Sequence, residues 1–221
     1  RAVAFAAKQF GVRAVVTMPE PAPRVKGDGV KKWGGEVVVA GRTSDDRRIK
    51  AEEIAQREGL AVVPPFDHPD IVAGQATIAL EIVAQLPEVE RVVVPVGGGG
   101  LISGIVAGLA AVNSKAAVWG VEPIGAPKLQ RSLAAGKVIH LDSTRSIADG
   151  LITLNVGDIP FAELARERER IRGVVLVEDD GIHAAVQFLW RTAQLAVEPS
   201  GAATTAALLA GLVPRARTTV L

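Results

Sequence analysis

Cysteine is absent from the 221 residues, which removes disulfide frameworks, thiolate metal sites and cysteine nucleophiles together. A charge surplus is also missing: 25 Lys and Arg stand against 24 Asp and Glu, for a formal net charge of +1. Such a balance supplies no field for nucleic acid or an anionic membrane surface, so neither is expected as a partner. No apolar run reaches the roughly 18 residues that cross a bilayer, because Gly, Pro and charged residues interrupt each one. The three histidines, His68, His140 and His183, lack an H-x-x-x-H spacing, and no metal site is expected. The opening RAVAFAAKQF has no leader layout, and the cytoplasm is the expected location. What is present is apolar: 48% hydrophobic against 22% charged residues, enough to bury a core and too much for a disordered chain.

Short β-branched runs alternate with longer helical patterns. RAVVT (13–17), EVVVA (36–40), LAVVP (60–64), RVVVPV (91–96) and AAVWGVEP (116–123) read as buried strands, as do GVVLV and the closing RTTVL. PAPRVKGDGVKKWG and TSDDRRIKAEEIAQREG read as helices, the second with Ser44 or Asp45 as N-cap and Gly59 as its stop. Strand–helix alternation demands a mostly parallel sheet, since each crossover needs a helix. The expectation is an α/β fold of two doubly wound open-sheet units. The Pro-rich VVPPFDHPD marks the boundary between a small domain at 1–65 and a larger one at 66–221. Asp67 and Asp70 read as helix-entry residues and His68 as part of a turn, while Asp179 or Asp180 and Ser200 read as caps of late helices. The small-residue run GAATTAALLAG suits a close-packed interface, within the chain or in a homodimer.

Four consecutive glycines separate RVVVPV from an apolar helix that begins at once. Amides at a helix start lack intrahelical acceptors, and the helix dipole leaves partial positive charge there. Glycine lets such amides converge on an anion with no Cβ in the way. One or two glycines would suggest a strain-free turn; four at this junction favour a phosphate cradle. The run lacks the G-K-[ST] ending of a nucleotide loop and the G-x-G-x-x-G spacing of a dinucleotide fingerprint. Ser103 could add a hydroxyl to the cradle or stay within its helix, and Gln75 could face the pocket or pack between helices.

These segments, in order, resemble the fold-type-II pyridoxal-phosphate enzymes, in the threonine/serine dehydratase and serine racemase branch. VVTMPEPAPRVKGDGVKKWGGEVVVAG is similar to the branch's MPE-x-AP-x-x-K segment, and FDHPDIVAGQATIALEI to its D-H-P-x-x-x-A-G-Q-x-T motif. VPVGGGGLISGI is similar to the cofactor-phosphate loop, GVEP to the next strand end, SIADGL to a pocket turn and VEPSGAA to a late pocket motif. The resemblance implies the tryptophan synthase beta-like fold and pyridoxal 5'-phosphate as cofactor. It implies that Gly97, Gly98, Gly99 and Gly100 with Leu101 hold the phosphate, that Gly150 lies flat against the ring, and that Glu198 sits near the ring's polar edge. Metal-binding members use the positions of Glu122, Ala126 and Lys128; a lysine cannot donate to a cation, so no metal is expected there.

The resemblance also implies parts that this sequence does not show. The family's Schiff-base lysine lies ahead of the residues matching Arg1, and none of Lys8, Lys26, Lys31, Lys32, Lys50, Lys115, Lys128 and Lys137 carries its surrounding motif. No catalytic residue is therefore assigned. The Ser-Ser-Gly-Asn-His substrate loop and a Ser-Gly-Gly-Asn segment are missing too, and the sequence reads as cut at both ends. Two readings follow. In one, the intact protein eliminates water from threonine or serine to give a keto acid and ammonia, or racemises such an amino acid. In the other, the chain is an inactive phosphate-ligand binding or interaction protein.

Overall fold

β-Branched runs become strands only where a second strand is available to pair with them. The computed structural model describes residues 1–20 and 22–221. Pro21, the first residue of the expected PAPRVKGDGVKKWG helix, and the side chain of Ser44, an expected cap, lie outside the described residues. The chain forms two compact units, Arg1–Pro64 and Pro65–Leu221.

The first unit runs α1 (Ala2–Gln9), β1 (Val15–Met18), α2 (Arg24–Lys31), β2 (Glu36–Val39) and α3 (Ser44–Glu58). β1 and β2 pair in parallel, with Val15 opposite Glu36 and Met18 opposite Val39, and α2 is the crossover that parallel pairing requires. Thr43, one residue earlier than expected, caps α3 through a capping box: its side chain accepts from the Asp46 N–H while Asp46 accepts from the Thr43 N–H. The Asp46 carboxyl is held below the usual carboxylate range, first by that backbone bond and then by a second from Arg42. Gly59, at φ 66°, ends the helix in the left-handed conformation expected of it.

Residues 60–64 correct the sequence reading. LAVVP is apolar enough for a buried strand, yet among the described residues it forms no ladder, and Val62 and Val63 stay exposed. Pro64 and Pro65 remove two amide donors at its end, and β1 and β2 pair only with each other.

The second unit holds α4 (Pro69–Gln85), β3 (Arg91–Pro95), α5 (Gly100–Ala111), β4 (Ala117–Pro123), α6 (Lys128–Ala135), α7 (Asp158–Arg166), β5 (Ile171–Val177), α8 (Asp179–Ala193), α9 (Pro199–Leu209) and β6 (Thr219–Val220). Its sheet has the order β5-β4-β3-β6, parallel at each pairing. The two-residue side-chain period of β3 divides the core. Val92, Val94 and the following Val96 join Ala79, Ile102, Ile105 and Leu109 on one face. Val93 joins Ile182, Ala185, Ala203 and Ala206 on the other. Apolar helices thus cover both faces, the doubly wound arrangement that buried parallel strands need. Each fully buried Ile or Leu in these layers stabilises the fold by about 1.5–3 kcal/mol relative to exposure.

α4 and α5 approach through glycine. A Cβ on Gly104 would lie 2.7 Å from the Val72 carbonyl oxygen, and one on Gly108 would lie 2.5 Å from that of Ala76. The small-residue run of α9 is likewise spent inside the unit, with Ala202, Ala203, Ala206 and Ala207 buried in the second core layer. From β3 the chain steps outward to β4 and β5, then returns with β6 on the other edge of β3. Connections therefore diverge at the carboxyl end of β3, the place where open α/β sheets leave a crevice for a ligand.

Candidate functional site

β3 delivers Val96 to that end of the sheet, and the Val96 N–H makes a last ladder-like bond to the Val121 carbonyl at 2.9 Å. Gly97 to Gly99 then turn the chain into α5, with Gly99 as N-cap at φ 90°, a conformation that favours glycine. Protein atoms press on this turn from one side. A Cβ at Gly97 would fall 2.7 Å from the Gly150 carbonyl oxygen, one at Gly98 2.2 Å from the Phe66 ring, and one at Gly100 3.1 Å from Phe66 Cβ. Close packing alone therefore accounts for the glycines.

It does not account for the amides. Gly98, Gly99 and Gly100 are buried and Leu101 is half-buried, yet their N–H groups donate to no protein acceptor among the described residues. A buried donor left unsatisfied costs about 1–3 kcal/mol. Several of them at the positive end of α5 offer donors that a compact dianion would satisfy. The carbonyl side of the turn, by contrast, is engaged: Gly98 accepts from the Gly157 N–H at 3.0 Å.

Gly150 closes the other side. It sits in a short 3-10 turn, Asp149–Leu151, whose Gly150 N–H donates to Ser200 Oγ at 3.0 Å. A Cβ on Gly150 would meet Ser200 Oγ at 2.9 Å and lie 3.9 Å from Glu198 Oε1. The structure thus brings Gly97, Gly150 and Glu198 together. It also corrects the role expected of Ser200: Glu198 is the N-cap of α9, without a side-chain cap bond, and the Ser200 hydroxyl is spent on the Gly150 turn. Asp179, expected as a cap, is instead the first residue of α8. Its carboxylate accepts from Ser146 Oγ at 2.5 Å and from the Ile147 N–H at 3.2 Å, pinning SIADGL from the carboxyl end of β5.

The FDHPD stretch divides its work differently from the sequence reading. His68 itself caps α4, its Nδ1 accepting from the Asp70 N–H at 3.2 Å. Asp67 reaches across the sequence to the start of α7, accepting from the amides of Ile159 at 2.9 Å and Asp158 at 3.3 Å. Two residues left open make contacts in and against α5. Ser103 Oγ donates to the Gly100 carbonyl at 3.1 Å inside α5, and the Gln75 Cβ packs 2.5 Å from where a Gly104 Cβ would stand. His183 shares a 2.8 Å hydrogen bond with Gln187 on the exposed side of α8.

The largest surprise is Lys128. Its Nζ is fully buried and contacts the Val96 carbonyl at 2.9 Å, Glu122 Oε1 at 3.0 Å and the Ala126 carbonyl at 3.2 Å. Burial pushes its pKa below the ordinary lysine value, while the Glu122 charge and hydrogen bond pull it back up. The sequence weighs Lys128 as a metal position and as one of eight lysines without the Schiff-base motif, not as a buried partner of Glu122, and it gives Phe66 no role at all. The one signal available for Phe66 is its place at the head of FDHPD.

Comparison with known proteins fits this geometry. The sequence profile of the family described as pyridoxal-phosphate dependent enzyme matches residues 1–221. The biosynthetic L-threonine dehydratase of Pasteurella multocida is 40% identical over 206 residues, covering 93% of this chain and 40% of that protein. A serine racemase of Oryza sativa subsp. indica is 36% identical over 208 residues, covering 94% of this chain and 60% of that one. The structure of maize serine racemase superposes with a TM-score of 0.91 at 33% identity, over 99% of this chain and 67% of that one. The chain thus spans 40–60% of the length of the two curated relatives. With the glycine turn into α5, the two-faced parallel sheet and a profile match over residues 1–221 in agreement, the chain belongs to the pyridoxal-phosphate-dependent enzyme family.

Proposed function

We infer that this chain is the cofactor-holding part of a cytoplasmic lyase that removes water from a small hydroxy amino acid such as threonine or serine, yielding a 2-keto acid and ammonia. The observation that carries the reading is the set of acceptor-free amides of buried Gly98, Gly99 and Gly100 and half-buried Leu101. These residues, with Gly97, would hold the phosphate of pyridoxal 5'-phosphate by N–H donation reinforced by the α5 dipole. Residues 1–65 would form the small domain and 66–221 the large one.

When bound, the cofactor supplies an electron sink for charge that develops at the substrate Cα. The chain's own residues position and shield. Gly150 offers a flat backbone surface without a side chain, held in place by Ser200 and Asp179. Glu198, exposed beside it, would present a carboxylate to the ring's polar edge. Among the described residues no three His, Asp or Glu side chains converge as a metal site, and the reading needs none.

Racemisation is the second reading, favoured by the identity shared with the rice serine racemase. One experiment separates the possibilities. The full-length protein is titrated with pyridoxal 5'-phosphate, treated with borohydride, and assayed on L-serine and L-threonine for keto acid, ammonia and D-isomer. Keto acid and ammonia support the lyase, D-serine alone supports the racemase, and binding without a borohydride-trapped lysine supports an inactive binding protein. No absorbance change on titration ends the cofactor assignment.

A further inference from the structure

We propose that Lys128 is a positioning residue for the glycine cradle: its ammonium is a cation tethered to the chain, and it aims the Gly97 N–H by fixing the Val96 carbonyl. This rests on the cofactor-binding reading above and extends it to a residue outside the cradle.

The geometry leaves little freedom. An ammonium has three donors, and three oxygens surround this one: Val96 O, Glu122 Oε1 and Ala126 O, at 2.9, 3.0 and 3.2 Å. A neutral amine has only two N–H donors, so the full set requires the charged form. Glu122 balances the charge and is itself saturated. Its Oε1 also accepts from the Leu129 N–H at 2.8 Å and its Oε2 from the Gln130 N–H at 2.9 Å, which caps α6 in place of the silent Pro127. Both side chains are 0% exposed. The pair therefore joins the ends of β3 and β4 to the start of α6 in a single hydrogen-bonded knot.

The link to the cradle is covalent geometry. A trans peptide is planar, so the carbonyl of one residue and the N–H of the next point in opposite directions. Val96 is held at its N–H by Val121 and at its carbonyl by Lys128. Drawing the Val96 oxygen toward Lys128 turns the Gly97 N–H the other way, into the glycine turn. Glycine has no Cβ to hold that peptide plane by packing, so an external anchor is needed, and Lys128 is the one the structure supplies. The point where a carboxylate and two carbonyls meet is taken by Nζ, which leaves neither space nor uncompensated charge for a free divalent ion.

The test compares wild type with Lys128→Met and with the pair Lys128→Met plus Glu122→Gln, all in the full-length protein. The single substitution strands a buried carboxylate and should lower stability sharply; the double removes both charges and should recover most of it. Cofactor affinity by calorimetry and the 31P resonance of the bound phosphate are read in parallel. The inference expects the double variant to be stable yet to bind pyridoxal 5'-phosphate roughly ten- to hundredfold more weakly, the loss for one misdirected charge-assisted donor, with a shifted 31P line. A double variant that regains wild-type affinity and line position overturns it, since a merely structural pair would do that. Wild type that binds no pyridoxal 5'-phosphate overturns instead the reading underneath. A further arm titrates wild type with Mg2+ and Ca2+: unchanged melting temperature and cofactor affinity support the tethered cation, and a saturable change in either overturns it, even should neither variant fold.

Discussion

At the scale of single residues, a glycine matters for what a side chain would strike, and the glycines here are not equivalent. A methyl group on Gly97 would run into the Gly150 carbonyl oxygen, a backbone atom that cannot step aside. Gly181, near the start of α8, faces open space and has no such neighbour. Gly97→Ala is therefore expected to cost about 1–3 kcal/mol of stability as overpacking and to weaken cofactor binding with it. Gly181→Ala should instead stabilise by about 0.4–1 kcal/mol through the unfolded chain. Thermal denaturation of the two variants checks the contrast, and equal effects would show that packing at the turn is looser than the structure has it. The sequence displays the glycines and their position after a strand, which is why the cradle is legible in it. It does not display Phe66 or Gly150 as the atoms that make glycine obligatory, because those contacts join segments 32 and 53 residues away from Gly98 and Gly97.

At the scale of elements, most helix and strand positions follow periodicity and Gly59 ends α3 as expected, while the N-caps do not follow local rules. Local rules place caps at Asp67, Asp179 and Ser200; the structure uses all three as anchors for other segments. An Asp or Ser beside a helix start has the right chemistry for any nearby orphan amide, and which amide is nearby is decided by tertiary packing. Residues 60–64 fail for a related reason: β-propensity needs a partner to express it. Asp67 gives the sharpest test. Its carboxylate caps α7 across 91 and 92 residues of sequence, so Asp67→Ala should lower stability by about 1–2 kcal/mol. Asp67→Asn, which keeps an acceptor oxygen but loses the charge that favours a helix N-terminus, should lose less than half of that. Asp70→Ala is the control, since among the described residues the exposed Asp70 carboxylate caps no other segment and lies only 3.8 Å from the His68 ring in its own helix turn, while its backbone N–H donates to His68. Chemical denaturation of the three variants ranks them, and a ranking with Asp70 on top would refute the assignment of the two aspartates.

At the scale of the whole second unit, strand order is the part that the sequence leaves open. Alternation predicts a parallel sheet, but nothing in RTTVL says that β6 lies beside β3 and not beside β5. Side-chain ties across the chain decide it: the Glu90 N–H donates to Thr218 Oγ1 at 3.0 Å, and the Arg217 N–H to Glu90 Oε2 at 2.8 Å. That placement creates the divergence at the end of β3 where the cradle opens. It also predicts how the unit breathes. The amides of β3 and of the buried α5 face, inside both core layers, should exchange with solvent only on global unfolding. Those of β6, paired over two residues at an edge, should exchange far sooner. The amides of buried Gly98, Gly99 and Gly100 and of half-buried Leu101 lie beside the first region but belong to neither by bonding, because no protein acceptor among the described residues holds them. Pyridoxal 5'-phosphate should therefore slow exchange most at these positions, with a smaller effect on β6. Hydrogen exchange of the full-length protein, followed with and without the cofactor, would show the opposite pattern if the phosphate were held anywhere else on the sheet.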